Sequence, residues 1–101
     1  MRIPKVIRTK ENCKEFTDYI KTLPNDECFI IVDNRSISMV NGGNTSLHYH
    51  KKDEAFAVHN YGTGWQDQAP QLMNEEDFIK YVWENRGDIN KSIKLMVDRL
   101  I

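Results

Sequence analysis

From Thr9 to Leu23 the apolar residues Cys13, Phe16, Ile20 and Leu23 recur at three- and four-residue intervals, which places them on one stripe of a helix. Thr9 suits the N-cap, Glu11 suits the positive end of the helix dipole, and Pro24 forbids continuation. The period then changes. Cys28 to Val32 is a short β-branched and aromatic run between polar turns, and reads as a central strand buried on both faces. Ser36 to Val40 alternates polar and apolar residues. Asn41-Gly42-Gly43-Asn44 is a reversal signal, Leu47 and Tyr49 alternate with His48 and His50, and Ala55 to His59 follows a second polar turn.

Burial predicts the registers. A three-residue loop at 42–44 pairs Met39 with Leu47 and Ile37 with Tyr49. A four-residue loop at 51–54 pairs Tyr49 with Phe56 and Leu47 with Val58. Both put the large apolar residues on one face, and a one-residue slip would destroy the match. The other face collects Ser38, Ser46, His48, His50, Ala57 and His59, and is expected to be wet. Residues 61–73 show no period and read as a long loop, a kind of segment that is usually functional. Asn74 is expected to cap a helix with Asp77 at the third position and Phe78, Ile79, Val82 and Trp83 on its apolar side. Gly87 is expected to stop that helix in a left-handed conformation. Asp88 then caps a last helix with the stripe Ile89, Ile93, Met96 and Leu100. Ile3 to Ile7 could add an edge strand, where Pro4 would be tolerated. The predicted fold is α+β: a four-stranded antiparallel meander with one N-terminal helix and two C-terminal helices packed on one face, in a single domain spanning residues 1–101.

Composition narrows the class. The chain has 101 residues, 40% of them hydrophobic and 29% charged, an ordinary globular balance. No apolar run is long enough for a membrane span, and no signal peptide is expected at the start. A cytoplasmic location follows as the expectation, with Cys13 and Cys28 as buried thiols rather than a bridge. Lys, Asn and Ile usage suggests, by association, an AT-rich bacterial or phage genome. The net charge of −1 hides segments of opposite sign: Arg2, Lys5, Arg8 and Lys10 make the first ten residues +4, whereas residues 53–84 hold seven acids against Lys80 alone, a balance of −6. Direct nucleic-acid binding is not expected, because no basic helix or aromatic-decorated strand pair is present. A basic protein, for instance one that itself binds nucleic acid, is the partner class this charge suits, as for small phage inhibitors of defence nucleases.

Three groups could carry chemistry. His48 and His50 lie at i and i+2 on a strand, pointing the same way, with His59 on that face and Glu54 in the adjoining turn, so they are candidate ligands for a divalent metal. With Gly42 before and Gly62 after, the pattern of a glycine, His-x-His, a glutamate and a second glycine resembles the first motif of the cupin family, a metal-binding β-barrel. That resemblance covers residues 42–62 and implies His48, His50 and Glu54 as ligands. The chain departs from the family by one extra residue before Gly62 and by lacking the second motif, with its Pro-x-Gly and further histidine. A solvated sheet face accounts for the same histidines. The second group is the glycine-flanked loop with Tyr61 and Trp65 followed by Gln66 and Asp67, a hot-spot composition. The third is the acidic helix start with Glu75 and Glu76. No nucleophile elbow, P-loop or CxxC pair is present, so no enzyme and no cofactor is expected. The reading is a small inhibitor or adaptor that binds a protein through residues 61–73 and the acidic face beside them. A metal- or small-ligand-binding protein centred on His48, His50 and His59 is the alternative.

Overall fold

The computed structural model describes residues 3–24, 27–32, 44–61 and 70–100. The fold is α+β, with a helix, a four-stranded antiparallel sheet and two final helices. Helix α1 spans Lys10–Lys21. Its cap is a reciprocal box: the Asn12 amide donates to Thr9 Oγ1 at 3.2 Å, and Asn12 Oδ1 accepts from the Thr9 and Arg8 amides. The expected stripe is present, with Cys13, Phe16 and Ile20 buried and Leu23 partly so. Thr17 is also fully buried, its hydroxyl donating to the Cys13 carbonyl one turn back.

The strands are β1 (Phe29–Val32), β2 (Asn44–His50), β3 (Ala55–Tyr61) and β4 (Gln71–Met73), in the sheet order β1-β2-β3-β4. The β2–β3 register is the one burial demands, Leu47 opposite Val58 and Tyr49 opposite Phe56. Three expectations are corrected. Among the described residues β1 lies at an edge rather than the centre, and it has one wet face, with Ile30 48% exposed. The ladder position beside Leu47 belongs to Phe29 and not to Met39. Residues 36–40, expected as a strand, lie outside the described residues. Among the described residues the fourth strand comes from the end of the expected loop, where Gln71–Met73 pairs with β3. Three residues with only Met73 packed against the core carry too weak an alternation to be recognised in a sequence.

Phe29, Ile31, Leu47, Phe56 and Val58 form the inner face of the sheet, and all are buried. Aromatic contacts join this face to the helices. Phe16 of α1 meets Phe29 edge-on at 5.0 Å between ring centres. Phe78 of α2 (Glu75–Glu84) stacks on Phe56 at 4.3 Å. Each such ring withdrawn from water contributes about 2–3 kcal/mol before entropy is counted. Helix α3 (Arg86–Leu100) adds Ile89 and Ile93 to the same core and packs beside β1. The outer face is less wet than alternation implies, since Ser46 and Ala57 are buried there.

Asn74 caps α2 as expected, accepting from the Asp77 amide at 2.8 Å. The α2–α3 junction differs. Asn85 closes α2 with φ −108°, and α3 starts at Arg86, so Gly87 lies in the first turn of α3 and Asp88 does not cap it. The non-glycine Asn85 absorbs the turn, and its side chain donates to the Tyr81 carbonyl. Gly87 therefore uses none of its conformational freedom, and a Cβ there would meet nothing within 4 Å. Gly87→Ala is expected to stabilise the fold by about 0.5 kcal/mol in urea titration, whereas a left-handed stop at this residue would make the change destabilising.

Residues 3–7 do not form the expected edge strand. The Asn90 side chain of α3 takes the place of a neighbouring strand: the Ile7 amide donates to Asn90 Oδ1 at 2.8 Å, and Asn90 Nδ2 donates to the Ile7 carbonyl at 2.9 Å. Ile7 itself is buried in the core. Asn90→Ala is expected to cost about 1–3 kcal/mol, because both partly buried groups of Ile7 lose their partners. Amide exchange at Ile7 should accelerate in that variant, and unchanged protection would show that the clamp does not hold the segment.

Candidate functional site

Among the described residues, the expected binding surface is represented by β4 and the first turn of α2. Pairing β4 with β3 turns Met73 toward the core, opposite Phe56, and Leu72 outward, where it is 51% exposed. Pro70, Gln71, Asn74, Glu76 and Asp77 are exposed around it. Tyr61 supplies backbone to the end of β3; Trp65, Gln66 and Asp67 lie outside the described residues. The sequence pattern did not single out Leu72, because its outward direction depends on a pairing that short-range alternation does not reveal.

The acidic residues that open α2 divide by environment. Glu75 turns back on α1, pairing with Lys21 and, at 3.4 Å, with Lys14, which also lies 3.7 Å from Asp18. Lys21 sits over the Tyr49 and Phe56 rings at 5.8 and 5.9 Å from their centres. Glu75 thus fastens α2 to α1, while Glu76 and Asp77 face solvent. Glu76 also borders a groove of about 350 Å³ between α1 and α2, floored by Cys13, Ile79 and Trp83 and flanked by Lys10, Lys80 and Glu84. Arg86 covers the Trp83 ring, its guanidinium carbon 3.9 Å from the ring centre.

Strand β2 places His48 and His50 side by side on the outer face, with ring centres 5.1 Å apart. His48 Nδ1 lies 3.1 Å from the Glu27 carbonyl oxygen, and His50 Nδ1 lies 3.7 Å from Asp53 Oδ2. His59 stands opposite Ser46 on β3. Glu54 is exposed in the β2–β3 turn with φ +49°, a left-handed conformation that closes the four-residue loop. Among the described residues, no three of His, Cys, Asp and Glu come together closely enough to hold a metal ion. His48 and His50 are brought together; His59 shares their face of the sheet, and Glu54 lies in the turn, without completing a group of three among the described residues. The four-stranded sheet with helices on one face is also not the barrel that the cupin resemblance implies.

Neither cysteine is activated. Both are free, and Cys13 is buried as expected, but Cys28 is exposed because it precedes β1. Loss of solvent around the sulfur holds both thiols above their ordinary value, against the lowered value that a nucleophile requires. No helix among the described residues is long and apolar enough to cross a membrane.

Compared with protein-family models, with curated proteins and with solved structures, the chain matches none.

The hydrogen bond from Lys21 holds the Glu75 carboxyl below its ordinary value of 4.5 and raises Lys21 above 10.5. A lowered carboxylate contributes stability that is complete above the unfolded value and disappears as pH falls through the native one. Glu75→Gln is accordingly expected to cost about 0.5–1 kcal/mol at neutral pH, a size set by solvent screening of a half-exposed network. The difference from the parent should vanish in acid denaturation curves below the native value. A pH-independent difference would mean that packing rather than charge is being lost.

Proposed function

We propose that the protein is a small non-enzymatic interaction module of the inhibitor or adaptor type. It binds a basic partner protein through residues 61–73 and the adjoining acidic face of α2. The observation that carries this reading is Leu72. It is a large apolar side chain 51% exposed inside the segment 61–73, next to the exposed carboxylates Glu76 and Asp77. An apolar anchor beside solvent-facing charge is the arrangement in which burial supplies affinity and electrostatics supplies orientation and association rate. Pairing of Glu75 with Lys14 and Lys21 fixes the helix that presents those carboxylates. The charge of residues 53–84 favours a partner with lysines and arginines at its contact surface. A basic protein that handles nucleic acid is one such partner, and a phage or other mobile-element origin would suit that role.

Affinity capture from bacterial lysate tests the reading. A dominant partner is expected, and its capture should weaken as salt rises across the physiological range. Leu72→Ser, Trp65→Ala and the double change Glu76→Lys/Asp77→Lys should each reduce capture by about tenfold or more while leaving the circular dichroism spectrum unchanged. Equal capture by all three variants would reject this surface.

A further inference from the structure

The outer face of the sheet carries a feature that the interaction surface does not use. Alternation along β2 points His48 and His50 to the same side, and their rings stand 5.1 Å apart with planes inclined at 68°. Two imidazoles bound to one tetrahedral ion, with metal–nitrogen bonds of about 2.0–2.1 Å, have ring centres roughly 5 Å apart. The pair already has that spacing.

The second observation concerns the other ring nitrogen. Glu27 offers His48 Nδ1 a carbonyl oxygen at 3.1 Å, and a carbonyl can only accept. The proton of neutral His48 therefore sits on Nδ1, and Nε2 keeps its lone pair. His50 Nδ1 faces Asp53 Oδ2, again an acceptor, at 3.7 Å. A carbonyl or carboxylate behind Nδ1 is the outer-shell arrangement that fixes a histidine as an Nε2 ligand and raises its basicity. Lys51 and Lys52, the charged residues next in the chain, are exposed, and Asp53 offsets part of their repulsion toward a cation.

We propose that His48 and His50 form a two-nitrogen chelate, through Nε2 of each, for a borderline divalent transition-metal ion such as zinc or nickel. Water completes the coordination. Imidazole donors without a carboxylate in the ligand set select such ions over magnesium and calcium. His59 and Glu54 stand outside this ligand set. The proposal is independent of the partner surface, which uses neither histidine.

Calorimetric titration of the untagged full chain with zinc or nickel alone is the test. One saturable site is expected, not displaced by millimolar magnesium. His48→Gln and His50→Gln should each weaken it about tenfold or more, whereas His59→Gln should leave it unchanged. A second readout on the parent protein does not depend on how the variants fold. Imidazole ¹⁵N shifts should show the Nδ1-protonated tautomer at His48 before metal, and movement of Nε2 at His48 and His50 on addition. Absence of saturable binding overturns the proposal, as does binding that survives both histidine changes or an apo tautomer protonated on Nε2.

Discussion

Keeping one face of a four-stranded sheet dry is the constraint on which the arrangement rests, and two aromatic contacts meet it. Phe16 against Phe29 seats α1 on the β1 side, and Phe78 on Phe56 seats α2 on the β3 side. Leu47 lies between those strands and is fully buried. Because side chains alternate with a period of two, a one-residue slip between β2 and β3 would put Leu47 on the opposite face from Val58 and Phe56 and turn one strand's apolar set to solvent. The register that buries them also directs His48 and His50 outward, and the β3–β4 pairing does the same for Leu72. The outward groups of these strands, His48, His50 and Leu72, are thus a by-product of what the core demands.

Charge acts after packing in this scheme. The pairs that Glu75 makes with Lys14 and Lys21 lie at the α1–α2 boundary and are screened by water, so they trim the fit of elements that burial has already brought together. Their larger effect is on availability. One carboxylate of the acidic helix start is neutralised within the chain, and two remain outside. A net charge near zero, or even a segment balance of −6, does not show which acids face a partner. That depends on neighbours supplied by a helix more than fifty residues earlier in the chain.

Much of the fold is legible along the chain wherever the physical signal is local. The 3.6-residue stripe with a Thr9 cap marks α1, Asn74 marks the start of α2, and alternation on both sides of a four-residue turn sets the β2–β3 register. What escapes is non-local or too short. Cys28 to Val32 is apolar enough to suggest burial on both sides, yet among the described residues it lies at a sheet edge, with Phe29 opposite Leu47 and Ile30 exposed. β4 has three residues, and only Met73 packs against the core. Gly87 carries a helix-stop signature that Asn85 makes unnecessary. For the sites, the His48–His50 pair follows from a period of two. The Nδ1 partners Glu27 and Asp53 emerge only once the strand ends are placed, and the exposure of Leu72 only once β4 is paired.

The clamp between Ile7 and Asn90 has a bearing on the order in which the protein comes into being. On the ribosome the segment around Ile7 is made well before the side chain that receives it, which is added 83 residues later. Until then, a buried isoleucine and both of its backbone groups have no native place, although α1 beside it can already coil. Closing so large a loop carries an entropic cost that only long-range contacts repay. Docking of α3 is therefore the event that ties the segment around Ile7 to the rest of the fold. A nascent chain halted before Asn90 would present the sheet and the first helix with that segment unfastened.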